Sequence, residues 1–292
     1  MPDFDKIQLN VERDGKNIFG VVYIPRGDNG TKRYPTIIYS HGMSSNHESG
    51  DKYAAEFARR GYVVYCFDFC GGYESKSDGD PLKMTVFSEQ ADLDAVFHHI
   101  ARLPYVDANN IFLMGASQGG AVTSLVASQE AGLIKGLILL YPAFNLPEEI
   151  KAAFPDPLKF TDIYDLAVPV GRPYLEELYG FDFYNVIANY RGPVLILHGS
   201  ADTAVPSGYS VKAVRTYPHA SLELIGGGKH GFEGGIFKYA VKVIVNFLDE
   251  ETDLADESGM NGDLNVPSGM GGFGGMGGMG GMGGSPRPGM GL

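Results

Sequence analysis

The pentapeptide Gly115-Ala-Ser-Gln-Gly119 constrains this chain more than any other stretch. It joins two segments of different character. Ile111-Phe-Leu-Met114 before it is a short apolar run of strand length, and the stretch from Ala121 to Val126 after it is helix-like. A serine two residues from a glycine on either side, between strand and helix, reads as a tight, strained turn. Such a turn lifts the hydroxyl above a sheet edge, beside the positive end of the following helix. Glycine is required there because a side chain would strike the neighbouring strands.

The rest of the chain repeats the same alternation. Ile7, Leu9 and Val11 alternate with polar residues, and residues 18–25 follow the turn Arg13-Asp-Gly-Lys16, which predicts a hairpin. Residues 35–42 form a short apolar run suited to a strand buried on both faces. Further strands are expected at 62–69, 111–115, 133–141, 194–198 and 222–225. Helices are expected at 51–60, through Leu93, Val96, Phe97, Ile100 and Leu103, then at 119–130, 209–216 and 237–248. Repeated strand–helix units predict an α/β class with a mostly parallel eight-stranded sheet and helices on both faces.

Two intervals break the rhythm. Residues 142–191 carry ten Phe and Tyr residues, against 12% aromatic overall, and are far longer than a plain crossover needs. They are expected to form a small inserted cap, whose aromatics either pack as a small core or face a ligand. Residues 1–141 and 192–250 then make the core. Residues 249–263 hold seven acids and no base, and Gly-Gly-Met repeats follow. Glycine loses the most entropy on ordering, so residues 251–292 are expected to be a disordered tail.

Charge and composition exclude some functions. A net charge of −12 disfavours a nucleic-acid partner. With no run of 18 or more apolar residues, no membrane span is expected. The first ten residues carry three charges and no apolar core, which argues against a secretory leader and for a cytoplasmic protein. Cys66 and Cys70, four steps apart on one expected strand, would lie roughly 13 Å apart, beyond disulfide reach. Reduced, buried thiols are the expectation.

The chemistry centres on Ser117. A serine hydroxyl is a poor nucleophile near neutrality and needs a base. For a serine at a strand-to-helix turn of this kind the chain order is nucleophile, acid, base, which leaves His219 and His230 as candidates. In a parallel sheet all strands end at the same edge. His219 precedes the last strand, so it falls at the opposite edge; His230 follows that strand and falls beside Ser117. Asp202 follows the strand 194–198 and lies at the same edge, placed to hold the imidazole in one tautomer. An oxyanion needs backbone donors, expected from the N–H groups of Gln118 and of Met43, in the loop Ser40-His-Gly-Met-Ser44. His41 and Gly42 are expected to shape that loop. No phosphate loop, dinucleotide fingerprint or Cys/His metal spacing is present, and Asp92, Asp94, His98 and His99 read as a solvated helix face.

Residues 6–248 resemble the α/β-hydrolases and, among them, the bacterial feruloyl/cinnamoyl esterase group. The matching stretches are Ser40-His-Gly-Met43, Phe67-Asp-Phe-Cys-Gly-Gly72, Ser75-Lys-Ser-Asp-Gly79, Ser117-Gln-Gly-Gly120, His198-Gly-Ser-Ala-Asp202 and Lys229-His-Gly-Phe232. The resemblance implies a serine triad of Ser117, Asp202 and His230. It implies hydrolysis of a small-molecule ester through an acyl-enzyme, with no cofactor and no metal. It also implies that the cap binds the acyl or aromatic group, with Glu149 and Tyr184 as candidates for a phenolic hydroxyl. Ala116 stands where many of these esterases carry histidine. A peptidase of the same fold, and a non-enzymatic scaffold that uses the Gly/Met tail, are the alternative readings.

Overall fold

The computed structural model describes residues 3–27 and 32–252. The N-terminal strands are β1 Phe4–Gln8, β2 Val11–Arg13, β3 Lys16–Ile18 and β4 Gly20–Pro25. Then come β5 Tyr34–Ser40, α1 Asp51–Ala58, β6 Val63–Phe67, α2 Val86–Ile100, β7 Val106–Ala116, α3 Gln118–Gln129 and β8 Gly136–Leu140. The next stretch holds α4 Leu146–Ala153, the short hairpin β9 Ile163–Asp165 and β10 Pro169–Gly171, α5 Arg172–Leu178 and α6 Phe183–Ile187. The chain closes with β11 Val194–Gly199, α7 Gly208–Thr216, β12 Ala220–Ile225 and α8 Gly234–Glu251.

Eight strands form one sheet in the order β1-β4-β6-β5-β7-β8-β11-β12. The six from β6 to β12 in that order pair in parallel, and β4 runs against its neighbours. This is the α/β-hydrolase arrangement. Strand alternation explains why both faces need helices. Ile111, Leu113, Leu137 and Leu139 bury into one core with α2 and α3. Phe112, Met114, Ile138 and Leu140 bury into the other, under α1 and α8. Helix α8 docks through Ala240, Val241, Ile244, Phe247 and Leu248, the spacing of one helical stripe.

Three details differ from expectation. The N-terminal hairpin is split: β1 pairs with β4, while β2 and β3 make their own small hairpin around Asp14 and Gly15. The break falls at Phe19, whose N–H donates to Ser77 Oγ at 2.8 Å and whose carbonyl accepts from Asp68 N–H at 2.9 Å. Strand β6 stops at Phe67, so Cys70 lies beyond it; both thiols are free and buried. Its end coincides with Asp68, whose carboxylate accepts from the N–H groups of His47 and Lys76. Glu251 extends α8 into the expected tail and Thr252 caps it; residues 253–292 and any scaffolding role lie outside the described residues.

Candidate active site

Ser117 stands alone between β7 and α3, at φ 53° and ψ −121°. A left-handed φ on a residue with a side chain is strained, and the surrounding bonds hold it there. Its N–H donates to Leu140 O at 2.9 Å, and its carbonyl accepts from the N–H groups of Gly120 and Ala143 at 3.0 and 2.9 Å. Contact, more than conformational freedom, explains the glycines. A Cβ on Gly119 would lie 2.3 Å from His41 O, and one on Gly115 would lie 2.3 Å from Gly119 O. The turn packs directly against the end of β5.

Two loops bring partners to that hydroxyl. Asp202 follows β11 and His230 follows β12, on adjacent parallel strands. His230 Nδ1 lies 2.8 Å from Asp202 Oδ2, and its Nε2 lies 3.0 Å from Ser117 Oγ. Asp202 accepts only, so Nδ1–H donates to it and Nε2 is left to accept the Ser117 hydroxyl. Asp202 Oδ1 also accepts from the N–H groups of Ala204 and Val205, each at 2.9 Å. His219 precedes β12 at the other edge, where its carbonyl accepts from Val194 N–H.

A further histidine, His198, steadies the Asp202 loop. It is fully buried, with Nε2 2.8 Å from Val205 O and 3.3 Å from Asp202 Oδ2, and Nδ1 2.7 Å from Ser210 Oγ. Burial lowers its pKa, so the ring is neutral and donates from Nε2. His41 is likewise buried with a lowered pKa; Nδ1 donates to Gly42 O at 2.8 Å and Nε2 accepts from Phe69 N–H at 3.2 Å. It shapes the loop carrying Met43.

Ser117, His230, Met43 and Gln118 line a cavity of about 580 Å³. As the first residue of α3, Gln118 has a backbone N–H with no acceptor within the helix. The segment between β8 and β11 lines the same cavity with Ala143, Asn145, Leu146, Glu149, Leu166 and Ala167. None of its ten aromatics does so; the lining phenol rings are those of Tyr39 and Tyr141. The ten pack with the core instead, in ring contacts such as the edge-on Phe154–Phe160 at 5.3 Å and the tilted Phe144–Phe183 at 5.5 Å. Of the two residues considered for a phenolic hydroxyl, Glu149 lines the cavity. Tyr184 donates to Tyr209 O at 3.1 Å, outside it.

The α2 face also departs from expectation. Asp92 is fully buried, paired with Arg13 Nε at 2.7 Å and accepting from Cys70 N–H at 2.8 Å. Glu89, one turn before it, is buried against Gln118. The reason is the docking of β2 and Gln118 on that face, which position along the chain does not reveal. Asp94 and Glu130 flank His98 Nε2 at 3.7 Å each. Gln129 Nε2 donates to both acids, at 3.1 and 3.2 Å, which closes that cluster on itself.

Residues 31–173 match the family model described as serine aminopeptidase, S33. The chain is 33% identical over 112 residues to putative esterase/lipase 2 of Mycoplasma genitalium, spanning 38% of this chain and 39% of that protein. It is 26% identical to mouse monoglyceride lipase, spanning 66% and 72% of the two chains. Among solved structures, Est1E of Butyrivibrio proteoclasticus with ferulic acid bound superposes with a TM-score of 0.76 at 26% identity, covering 83% of this chain and 98% of that one. Among the described residues no helix is long and apolar enough to cross a membrane.

Proposed function

From an α/β-hydrolase that resembles the feruloyl esterases, we propose a serine carboxylesterase that works through an acyl-enzyme. One observation carries the reading: the unbroken hydrogen-bonded chain from Asp202 through His230 to Ser117, opening on the cavity. His230 Nε2 takes the Ser117 proton as Oγ attacks the ester carbonyl. The N–H groups of Gln118 and Met43 receive the developing oxyanion. The imidazolium, stabilised by ionised Asp202, then protonates the leaving alcohol. Water, deprotonated by His230, attacks the acyl-enzyme, and Ser117 leaves with the proton returned.

The walls support a neutral acyl group of small to medium size. Leu146, Leu166 and Ala167 offer aliphatic surface, and Tyr39 and Tyr141 offer ring faces. Short-chain, medium-chain and hydroxycinnamoyl esters are the proposed substrates. Glu149 favours a second reading, an aminopeptidase-like activity, because its carboxyl is the group in this cavity that would pair with a substrate amine. Two free, buried thiols accord with a reducing, cytoplasmic setting.

The test is initial rates on 4-nitrophenyl acetate, butyrate and octanoate, methyl ferulate and an aminoacyl anilide, with Ser117→Ala beside the wild type. Ester turnover lost in the variant is expected. Preference for the anilide moves the protein to the second reading, and ester turnover that survives Ser117→Ala sinks the first.

A further inference from the structure

Three buried polar side chains converge behind the Ser117 turn. Gln118 Nε2 donates to Glu89 Oε2 on α2 at 2.7 Å, and Gln118 Oε1 accepts from the Tyr174 hydroxyl on α5 at 2.6 Å. Glu89 and Gln118 are each 1% exposed and Tyr174 is fully buried. Polar groups this deep are tolerated only as a satisfied set, because each alone would forfeit its hydration without return. Neither Glu89 nor Tyr174 lines the cavity. The set joins three elements: a core helix, the residue after the candidate nucleophile, and the segment between β8 and β11.

The position of Gln118 gives the linkage its consequence. Its backbone N–H follows directly on the strained Ser117, at φ 53°. Relaxation of that φ would rotate the Ser117–Gln118 peptide and swing the N–H away. A side chain pinned at both ends of its amide opposes that rotation. We infer that Glu89 and Tyr174 are positioning residues: they clamp the Gln118 side chain and thereby hold its backbone N–H in oxyanion-binding geometry. The segment between β8 and β11 thus acts on the reaction through Tyr174 as well as through the cavity wall. The inference rests on the serine esterase reading above.

Tyr190 supplies the control. It is fully buried in the same segment and donates to Ile134 O at 3.1 Å, with no tie to the turn. Steady-state rates on 4-nitrophenyl butyrate are measured for wild type, Tyr174→Phe, Tyr190→Phe, Glu89→Leu, Glu89→Gln and Ser117→Ala, each with a thermal melt. Tyr174→Phe and Glu89→Leu are expected to lower kcat about tenfold or more, with KM changed less than about twofold. Glu89→Gln, which keeps a hydrogen-bonding amide, restores most of the loss seen in Glu89→Leu. Tyr190→Phe lowers the melting temperature and leaves kcat as in wild type. An unchanged kcat in Tyr174→Phe, a loss confined to KM, or an equal kcat loss in Tyr190→Phe overturns the clamp. Turnover surviving Ser117→Ala instead removes the serine esterase reading itself, so the two failures are distinguishable.

Discussion

At the scale of single residues, the hydrogen bonds around Asp202 and the backbone contact at Gly119 set the sharpest expectations. Asp202 fixes the His230 tautomer through Nδ1, and it accepts two backbone N–H groups besides. Asp202→Asn leaves a side chain of the same shape but offers an N–H toward a ring that needs an acceptor. Turnover should fall by about 10⁴ with the fold retained, read from kcat and a circular dichroism spectrum. Gly119 meets a different limit. An alanine there would press its Cβ to 2.3 Å from His41 O, backbone against backbone. Gly119→Ala should cost about 1–3 kcal/mol in urea unfolding and lose ester turnover, because the Ser117 turn and the Met43 loop are forced apart. A stable, active Gly119→Ala would mean that this contact is looser than the structure has it.

At the scale of elements, the buried acids of α2 matter most. Asp92 ties α2 to the β2–β3 hairpin through Arg13, whose side chain is 15% exposed. Arg13→Met strands a carboxylate in the core and should destabilise the chain by about 3 kcal/mol in denaturant unfolding. Burial raises the Asp92 pKa, so protonation relieves part of that cost as pH falls. Glu89 carries a pH signature of its own. Desolvation raises its pKa well above the usual carboxylate value. The folded state therefore favours the protonated form, and its contribution is complete below the ordinary carboxylate pKa and is lost as pH rises above it. Glu89→Gln removes this dependence. Its melting temperature relative to wild type should be about equal near pH 4 and should rise toward pH 8. A difference that does not grow with pH would show that Glu89 is not buried in its neutral form.

At the scale of the whole molecule, one sheet edge collects the chemistry. The loops after β5, β7, β11 and β12 each deliver a group to one cavity, because parallel strands end on the same side. The 142–191 segment adds wall to that cavity and, in the proposed clamp, reaches Gln118 through Tyr174, while its aromatics pack in the core. Residues 253–292 contribute none of the candidate groups. A chain ending at residue 252 should keep full ester turnover per molecule; a large loss, read from kcat, would assign the tail a part in catalysis. The acid limb of stability has its own cause. Burial lowers the pKa of His41 and His198, so the fold favours neutral rings, and their contribution is lost as pH falls below the usual imidazole range. The melting temperature should decline below about pH 6, and Glu89→Gln, which removes the opposing gain from Glu89 protonation, should make that decline steeper.

Much of this architecture is legible in the sequence itself. Period and run length marked the parallel strands, because a strand buried on both faces must be apolar throughout. Chain order and strand polarity then put Ser117, Asp202 and His230 on one edge and His219 on the other, since polarity follows from connectivity alone. What sequence could not supply was which surfaces meet. Asp92 read as solvated until β2 docked on it, and the aromatics of 142–191 suited a ligand wall as well as a core. Gln118 showed only its backbone role; the partners of its side chain lie 29 and 56 residues away, on α2 and α5. A local pattern encodes which face of an element is apolar, whereas burial of a polar group is decided by the neighbour that covers it, and that neighbour is chosen by the tertiary packing of the whole chain.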